Sequence, residues 1–542
     1  MSISLQDIVL TRGSQTLVNG FSTVCGDSDR IAIFGPNGAG KSSLMQAIVG
    51  DLPLESGSIG VTPTGASVGF LEQLRTVPVG WTVREVLRQR TGVAKADADL
   101  QSASARLGTD FSPGAVADYE RALARFSASG ADTLDGRAPA VLADIGLGVE
   151  LDRSCEGLSG GELARLALAG VLLSHFDALL LDEPTNDLDE NGLRLLTEFV
   201  MTRSVPVLFV SHDRRFLEAV TTGVIEFDPR LDQVTRFEGG YEAWRRERAR
   251  AHETAVEENV KYTETVSELK AQADAIRRRS ARGVRTANRA YEQGSVDKLL
   301  RDRMLDGATA GASSARRTQR RLEKLEKPAE VRKVWNLQLA FPQSSNPAAA
   351  FVLDSVGVAA GDFEVGPVSL TINPGERLRI HGRNGSGKSL ILAVLAGRTL
   401  PSTGRLSGAD LRHVGVLDQQ RSVVPLGFTS LAEWFPRVSE LSVSEARTQL
   451  AKFGLGGDDV ERPMETLSPG ERTRVGLALL ATRRTTGLIL DEPTNHLDVP
   501  AIEQLEQALS IYRGTLIITT HDEEFANGLS VERTLDLDDV SG

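Results

Sequence analysis

Gly35-Pro36-Asn37-Gly38-Ala39-Gly40-Lys41-Ser42 follows the apolar run Arg30-Ile31-Ala32-Ile33-Phe34 and opens a segment with helical spacing, Ser43-Leu44-Met45-Gln46-Ala47-Ile48. Strand, glycine-rich loop, Lys-Ser and helix, in that order, is the context in which such a loop binds phosphate. The glycines let backbone N–H groups converge on phosphate oxygens, and the start of the helix adds a favourable dipole. Gly35 to Ser43 is therefore a candidate nucleotide site, with Lys41 expected to reach the β- and γ-phosphates and Ser42 to ligate Mg²⁺. The chain has 10 Lys against 51 Arg, so a lysine at this place is not a compositional habit.

The arrangement returns as Gly382-Arg383-Asn384-Gly385-Ser386-Gly387-Lys388-Ser389-Leu390, after Arg377-Leu378-Arg379-Ile380, which makes the chain an internal duplication. Further signals recur in the same order. Val68-Gly69-Phe70-Leu71-Glu72-Gln73 and Val414-Gly415-Val416-Leu417-Asp418-Gln419 each read as a strand ending on glutamine. Gln73 and Gln419 are expected to hydrogen-bond a Mg²⁺-bound water or the attacking water. Leu158-Ser159-Gly160-Gly161-Glu162 and Leu467-Ser468-Pro469-Gly470-Glu471 open helical segments whose first turns suit a γ-phosphate. Pro469 lacks an N–H, so the second turn offers one donor fewer.

Ala178-Leu179-Leu180-Leu181-Asp182-Glu183-Pro184-Thr185-Asn186 and Gly487-Leu488-Ile489-Leu490-Asp491-Glu492-Pro493-Thr494-Asn495 begin as apolar runs, the pattern of parallel strands buried on both faces. Asp182 and Asp491 are expected in the Mg²⁺ shell with Ser42 and Ser389, and Glu183 and Glu492 are placed to polarise water. His212 and His521, two of only seven histidines, close equivalent apolar runs and are expected to contact a γ-phosphate.

Offsets locate the difference between the halves. Lys41 to Lys388 spans 347 residues and Gln73 to Gln419 spans 346, whereas Leu158 to Leu467, Asp182 to Asp491 and His212 to His521 each span 309. The first half thus carries about 37 extra residues after Gln73. The Ala-rich stretch Lys95 to Ala128 predicts a short helical hairpin inside an insertion at about 86–128.

A chain of 542 residues fits about three domains, and 41% apolar with 25% charged residues is ordinary for a globular protein. No stretch approaches the ~18 apolar residues of a membrane helix. The N-terminus shows no signal-peptide pattern. Two cysteines, Cys25 and Cys155, are too few for a disulfide framework or a cysteine-held cluster. A cytoplasmic protein, metal-free apart from nucleotide-borne Mg²⁺, is expected.

The net charge of −12 is unevenly spread: residues 241–335 hold 23 Lys+Arg and 15 Asp+Glu, a net of +8, which leaves −20 elsewhere. In that stretch Tyr262, Val266, Leu269, Ala273 and Ile276 step by 4, 3, 4 and 3, a coiled-coil seam. A rod from Trp244 to Arg279 of ~54 Å is expected. A basic cluster follows at Arg277, Arg278, Arg279, Arg282, Arg285 and Arg289. Gly283, Gly294, Gly307 and Gly311 are expected to break the periodicity before Arg316, Arg317, Arg320 and Arg321 on a returning helix. A solvated charged helix would explain the charge run; its position and charge contrast favour contact with RNA phosphate.

With each motif present twice and in order, the sequence resembles an ATP-binding-cassette protein with two cassettes and no membrane domain. The Asp-Glu-Pro-Thr-Asn-x-Leu-Asp wording and the long charged linker make it similar to the ABC-F family, particularly actinobacterial macrolide-resistance-type members. The resemblance implies an α/β fold with two P-loop ATP-binding-cassette domains, 1–240 and 336–542, joined by a long α-helical, coiled-coil-like linker at 241–335. It implies ATP and Mg²⁺ as cofactors, and two composite sites. The Lys41 loop would face Ser468 and Gly470, the Lys388 loop would face Ser159, Gly160 and Gly161, and Glu183 and Glu492 would be general bases. It further implies a monomer whose cassettes close on two ATP, and a ribosome-associated protein whose linker meets rRNA and P-site tRNA. Two departures stand out: Arg12 and Ala360 replace the aromatic that usually stacks on adenine, and Asp187 stands where His496 keeps the family's histidine. Two other readings remain at this point, a housekeeping translation factor and the ATPase subunit of a drug exporter.

Overall fold

The computed structural model describes residues 1–542 apart from 14, 37, 73, 75, 229–232, 294, 296–297, 300–316, 318–319, 323–340, 343–347, 361–362, 420, 423, 425–429 and 540–542. It divides into two compact units, Met1–Glu242 with Trp335–Gly542, and Ala243–Val334.

The duplicated apolar runs become the central strands of two parallel sheets. In the first half the order is Val68–Leu71, Ala178–Asp182, Val207–Val210, Arg30–Phe34, Gly223–Asp228 and Gln233–Glu238, with only the last pair antiparallel. In the second it is Val414–Leu417, Gly487–Asp491, Thr515–Thr519, Arg377–His381 and Arg533–Asp536, parallel throughout. Register pairs Asp182 with Val210 and Asp491 with Thr519, so the acidic strand ends and the residues before the histidines share one edge. Leu179, Leu180 and Leu181 are no more than 1% exposed, as the unbroken apolar run requires of a strand covered on both faces.

Each half also has a three-stranded antiparallel sheet among the described residues, Gln15–Cys25, Ser2–Arg12, Ser56–Thr62 and Phe363–Ile372, Phe351–Ala360, Thr403–Gly408. Ser2–Arg12 and Gln15–Cys25 stay paired along the whole hairpin, because pairing resumes after the register shifts that follow Leu5, Ile8 and Leu10.

Helices Val93–Leu107 and Pro113–Ala128 pack on each other between Val83–Arg90 and Leu134–Asp144. Leu431–Ser439 and Val443–Lys452 occupy the corresponding stretch of the second half, directly joined.

The linker helix corrects one expectation. It runs unbroken from Tyr241 to Glu292, 52 residues or ~78 Å at helical rise, and passes through Gly283 rather than breaking there. One interior glycine costs about 1 kcal/mol against alanine. The arginines and alanines on either side outweigh it. Gly294, Gly307, Gly311 and Arg316 lie outside the described residues, and Arg317, Arg320 and Arg321 are helical.

Candidate nucleotide-binding sites

Gly40 and Gly387 are the N-caps of helices Lys41–Val49 and Lys388–Leu395, at φ +104° and +91°. A side chain there would be strained, and its Cβ would lie 2.9 Å from Leu17 Cβ or Val365 Cβ, so both positions need glycine. The lysine that follows folds back over its own loop. Lys41 Nζ donates to the carbonyls of Gly35 at 2.7 Å and Pro36 at 3.1 Å. Lys388 Nζ donates to those of Gly382 at 2.6 Å and Arg383 at 3.1 Å. Two of three ammonium donors hold the loop's shape, leaving one for a phosphate. Burial lowers both lysine pKa values, against the pull of Glu183, Asp498 and Asp182 on Lys41, and of Glu492, Asp491, Asp538 and Asp189 on Lys388. Ser43 is buried, and the Leu390 side chain packs on the core.

The acidic ends face these lysines. Burial raises the Asp182 pKa even though Ser42 hydrogen-bonds it. A hydroxyl and a carboxylate side by side are the hard oxygen donors that Mg²⁺ takes beside nucleotide phosphates, so this pair fits the ion. In the second half Asp491 is buried and accepts from Thr519 Oγ1 at 2.6 Å, while Ser389 is exposed.

Glu183 and Glu492 both sit at positive φ, +52° and +44°, a conformation rare outside glycine that tends to collect at functional positions. Each backbone N–H is pinned to the next strand, Glu183 to the Val210 carbonyl at 3.0 Å and Glu492 to the Thr519 carbonyl at 3.2 Å.

Their carboxyls diverge. Glu183 lies 2.9 Å from His212 Nε2; burial pushes its pKa up, but His212 and Lys41 outweigh that and hold it below the ordinary value. Glu492 lies 3.4 Å from His521 Nε2, and its Oε1 has no hydrogen-bond partner among the described residues. Burial and the neighbouring Asp491 push its pKa up to about 7, and burial with Lys388 pushes His521 down to about 3.

Residues of the opposite half approach each loop. Asn384, in the second loop, donates from Nδ2 to the Asp187 carbonyl at 2.7 Å, and a Cβ on Gly161 would lie 3.4 Å from Asn384 Cβ. Asp189, beyond Asp187, acts electrostatically on Lys388 and His521, as Asp498 does on Lys41 and His496 on Glu183. Asp189 and Asp498 are the N-caps of Glu190–Thr202 and Val499–Ser510.

Ser159 and Ser468 are engaged in a way the sequence reading did not consider. Each hydroxyl donates at 2.8 Å to Glu162 or Glu471, and each glutamate also accepts from the serine's backbone N–H. The Ser-x-x-Glu spacing is the signal for this capping box. Gly160 and Pro469 are the first residues of the helices so capped, and Gly470 is buried.

Gln419 stands exposed in the turn after Val414–Leu417; Gln73 and Asn37 lie outside the described residues. Arg421, absent from the expected site, is 5% exposed and donates to the carbonyls of Asp491 at 3.0 Å and Glu492 at 2.8 Å and to Thr473 Oγ1 at 3.0 Å. Nothing in a Gln-Gln-Arg tripeptide announces such a clamp.

The linker helix carries a different surface. Arg277, Arg278, Arg279, Arg282, Arg285 and Arg289 are all exposed. At 3.6 residues per turn, Arg278, Arg282, Arg285 and Arg289 fall within an arc of about 60°, opposite the seam of Tyr262, Val266, Leu269, Ala273 and Ile276. Tyr262, Val266, Leu269 and Ile276 are half-buried and Ala273 is buried, whereas every residue between them except Thr265 is exposed.

A family model described as ABC transporter matches residues 18–186 and 365–495. The tylosin-resistance ATP-binding protein TlrC of Streptomyces fradiae is 32% identical, covering 96% of this chain and 94% of that one. The ATP-binding protein YdiF of Bacillus subtilis is 31% identical, covering 99% of this chain and 80% of its own. ABC transporter F family member 2 of Arabidopsis thaliana is 26% identical, covering 94% of this chain and 73% of that one. Among solved structures, the archaeal ribosome recycling factor aABCE1, in complex with the ribosomal stalk protein aP1, superposes with a TM-score of 0.59 at 18% identity, covering 98% of this chain and 87% of that one. The last likeness concerns the fold.

Proposed function

We propose, from the premise that this chain belongs to the ABC-F family of tandem ATP-binding-cassette ATPases, that it binds the ribosome when its cassettes close on two ATP, and protects it against a macrolide-type antibiotic. Hydrolysis then releases it. The observation that carries the ribosomal part is the linker's stripe of four exposed arginines opposite its apolar seam, a surface suited to a polyanion. The likeness to TlrC over nearly both full lengths supports the antibiotic part.

In this reading residues 1–240 and 336–542 are the cassettes, and 241–335 the linker. The loops Gly35–Ser43 and Gly382–Leu390 cradle phosphates through backbone N–H groups, with Lys41 and Lys388 on the β- and γ-phosphates. Ser159, Gly160 and Gly161 complete the second site, and Ser468 and Gly470 the first. Ser42 with Asp182, and Ser389 with Asp491, would hold Mg²⁺ together with Gln73 and Gln419, and the ion would supply neutralisation of phosphate charge. Glu183 and Glu492 take the proton of the attacking water, and His212 and His521 orient the γ-phosphate and that water. Chemistry comes mainly from positioning and electrostatics, so ATP serves as a timer. The protein works in the cytoplasm.

A drug-exporter subunit is the competing reading. No helix among the described residues is long and apolar enough to cross a membrane, so such a subunit would need a separate membrane partner. The test is a membrane-free translation extract inhibited by a macrolide. Added protein is expected to restore synthesis, and the Glu183→Gln, Glu492→Gln variant to fail. No restoration at any protein concentration would contradict protection.

A further inference from the structure

The duplication aligns Arg214-Arg215 with Glu523-Glu524. Both pairs follow His-Asp, at His212-Asp213 and His521-Asp522, and they stand 309 residues apart, the offset of the histidines themselves. These equivalent positions meet. Arg214 Nη1 lies 3.3 Å from Glu524 Oε2 and 3.3 Å from Glu506 Oε2, and Arg215 Nη2 lies 3.8 Å from Glu523 Oε2. The contact is partly shielded from water: the Arg214 side chain is 5% exposed, while those of Glu524 and Arg215 keep 36% and 39%. Arg379, buried where the first half has Ala32, holds Glu523 at 2.6 Å and adds a third cation on the second half.

When two similar halves pair about an approximate twofold axis, equivalent residues near the axis face each other. Had both halves kept the same residues, two arginines would face two arginines, or two glutamates two glutamates. Like charges half-removed from water repel strongly, and one reversed set converts repulsion into attraction. Only a pairing of unlike halves gains by it.

We propose that this charge-reversed contact selects the pairing partner of each cassette, so that the first half closes on the second and not on a like half from another chain. The inference depends on ATP hydrolysis and not on the ribosome, so it stands or falls apart from the proposed function.

The test uses the full-length chain and its ATPase activity without ribosomes, with thermal unfolding followed in parallel. R214E/R215E puts acid against acid, and is made with E506Q so that no glutamate is set upon Glu506. E523R/E524R puts base against base, and is made with R379A so that no arginine is set upon Arg379. Each is expected to lose at least about tenfold in activity, and all six changes together to recover to within about threefold of the original. A combined variant no more active than the weaker of its parents would overturn the proposal, as would parents with undiminished activity. If a parent fails to fold, the combined variant must still fold and hydrolyse ATP for the proposal to stand.

Discussion

Glu183 and Glu492 occupy equivalent backbone positions, yet one carboxyl is held low by its histidine and the other is raised to about 7. Burial and Asp491 raise Glu492. His521 is kept neutral chiefly by burial and Lys388, with a smaller push from His381 and Arg379, which stand where the first half has Phe34 and Ala32, and so it offers Glu492 no counter-ion. A general base must be ionised to act. The Glu183→Gln variant, left with the second site, should lose activity as pH falls through about 7. The Glu492→Gln variant should be nearly flat from about pH 6 to 8, since Glu183 stays ionised there. Paired pH–rate curves decide this, and superimposable curves would contradict it. Stability carries the same signature. A carboxyl raised from 4.5 to about 7 costs nothing to the fold below 4.5, and its penalty reaches full size above about 7. At ~1.4 kcal/mol per pH unit that is of order 3 kcal/mol. Glu492→Gln should therefore raise the melting temperature at pH 8 and leave it nearly unchanged at pH 4.

At the scale of elements, the long helix is the part most open to manipulation. Gly283 lies inside Tyr241–Glu292, so Gly283→Ala should stabilise the helix by up to about 1 kcal/mol, visible as increased helicity or a higher melting temperature of the linker. A loss of helicity would mean that the position needs glycine for another reason. The sequence read this glycine as a stop because periodicity alone cannot weigh one poor helix former against the good ones around it. Strand–loop–helix units were legible for the opposite reason. Phosphate chemistry restricts which residues can stand in a loop such as Gly35–Ser43, and the duplication displays that restriction twice. The capping boxes were equally present in the spacing of Ser159 with Glu162 and Ser468 with Glu471. Arg421 was not legible, since its partners Thr473, Asp491 and Glu492 come together only through tertiary packing. Removing this clamp with Arg421→Ala takes a donor from three buried acceptors, so turnover should fall at least about tenfold, in line with the cost of unmade buried hydrogen bonds. Unchanged ATPase activity would show that the backbone at Glu492 holds its shape without it.

For the whole molecule, the order and offsets of the motifs reveal two halves of one kind, and the charge count reveals a linker of another. How the halves address each other was less visible. His-Asp-Arg-Arg and His-Asp-Glu-Glu look like ordinary variation until Arg214 is found against Glu524. The central claim, that ATP-driven closure presents an arginine-lined helix to the ribosome, makes a quantitative prediction about salt. Each arginine that meets a phosphate should contribute about 0.7 to 0.9 to the slope of log affinity against log salt. The measurement that bears on it most directly is ribosome co-sedimentation of the Glu183→Gln, Glu492→Gln variant with ATP across a salt series, with and without glutamine at Arg278, Arg282, Arg285 and Arg289. The account predicts ATP-dependent retention that weakens with salt, and a shallower slope once the four arginines are gone. Retention that ignores ATP, or a slope that the four changes leave untouched, would contradict it.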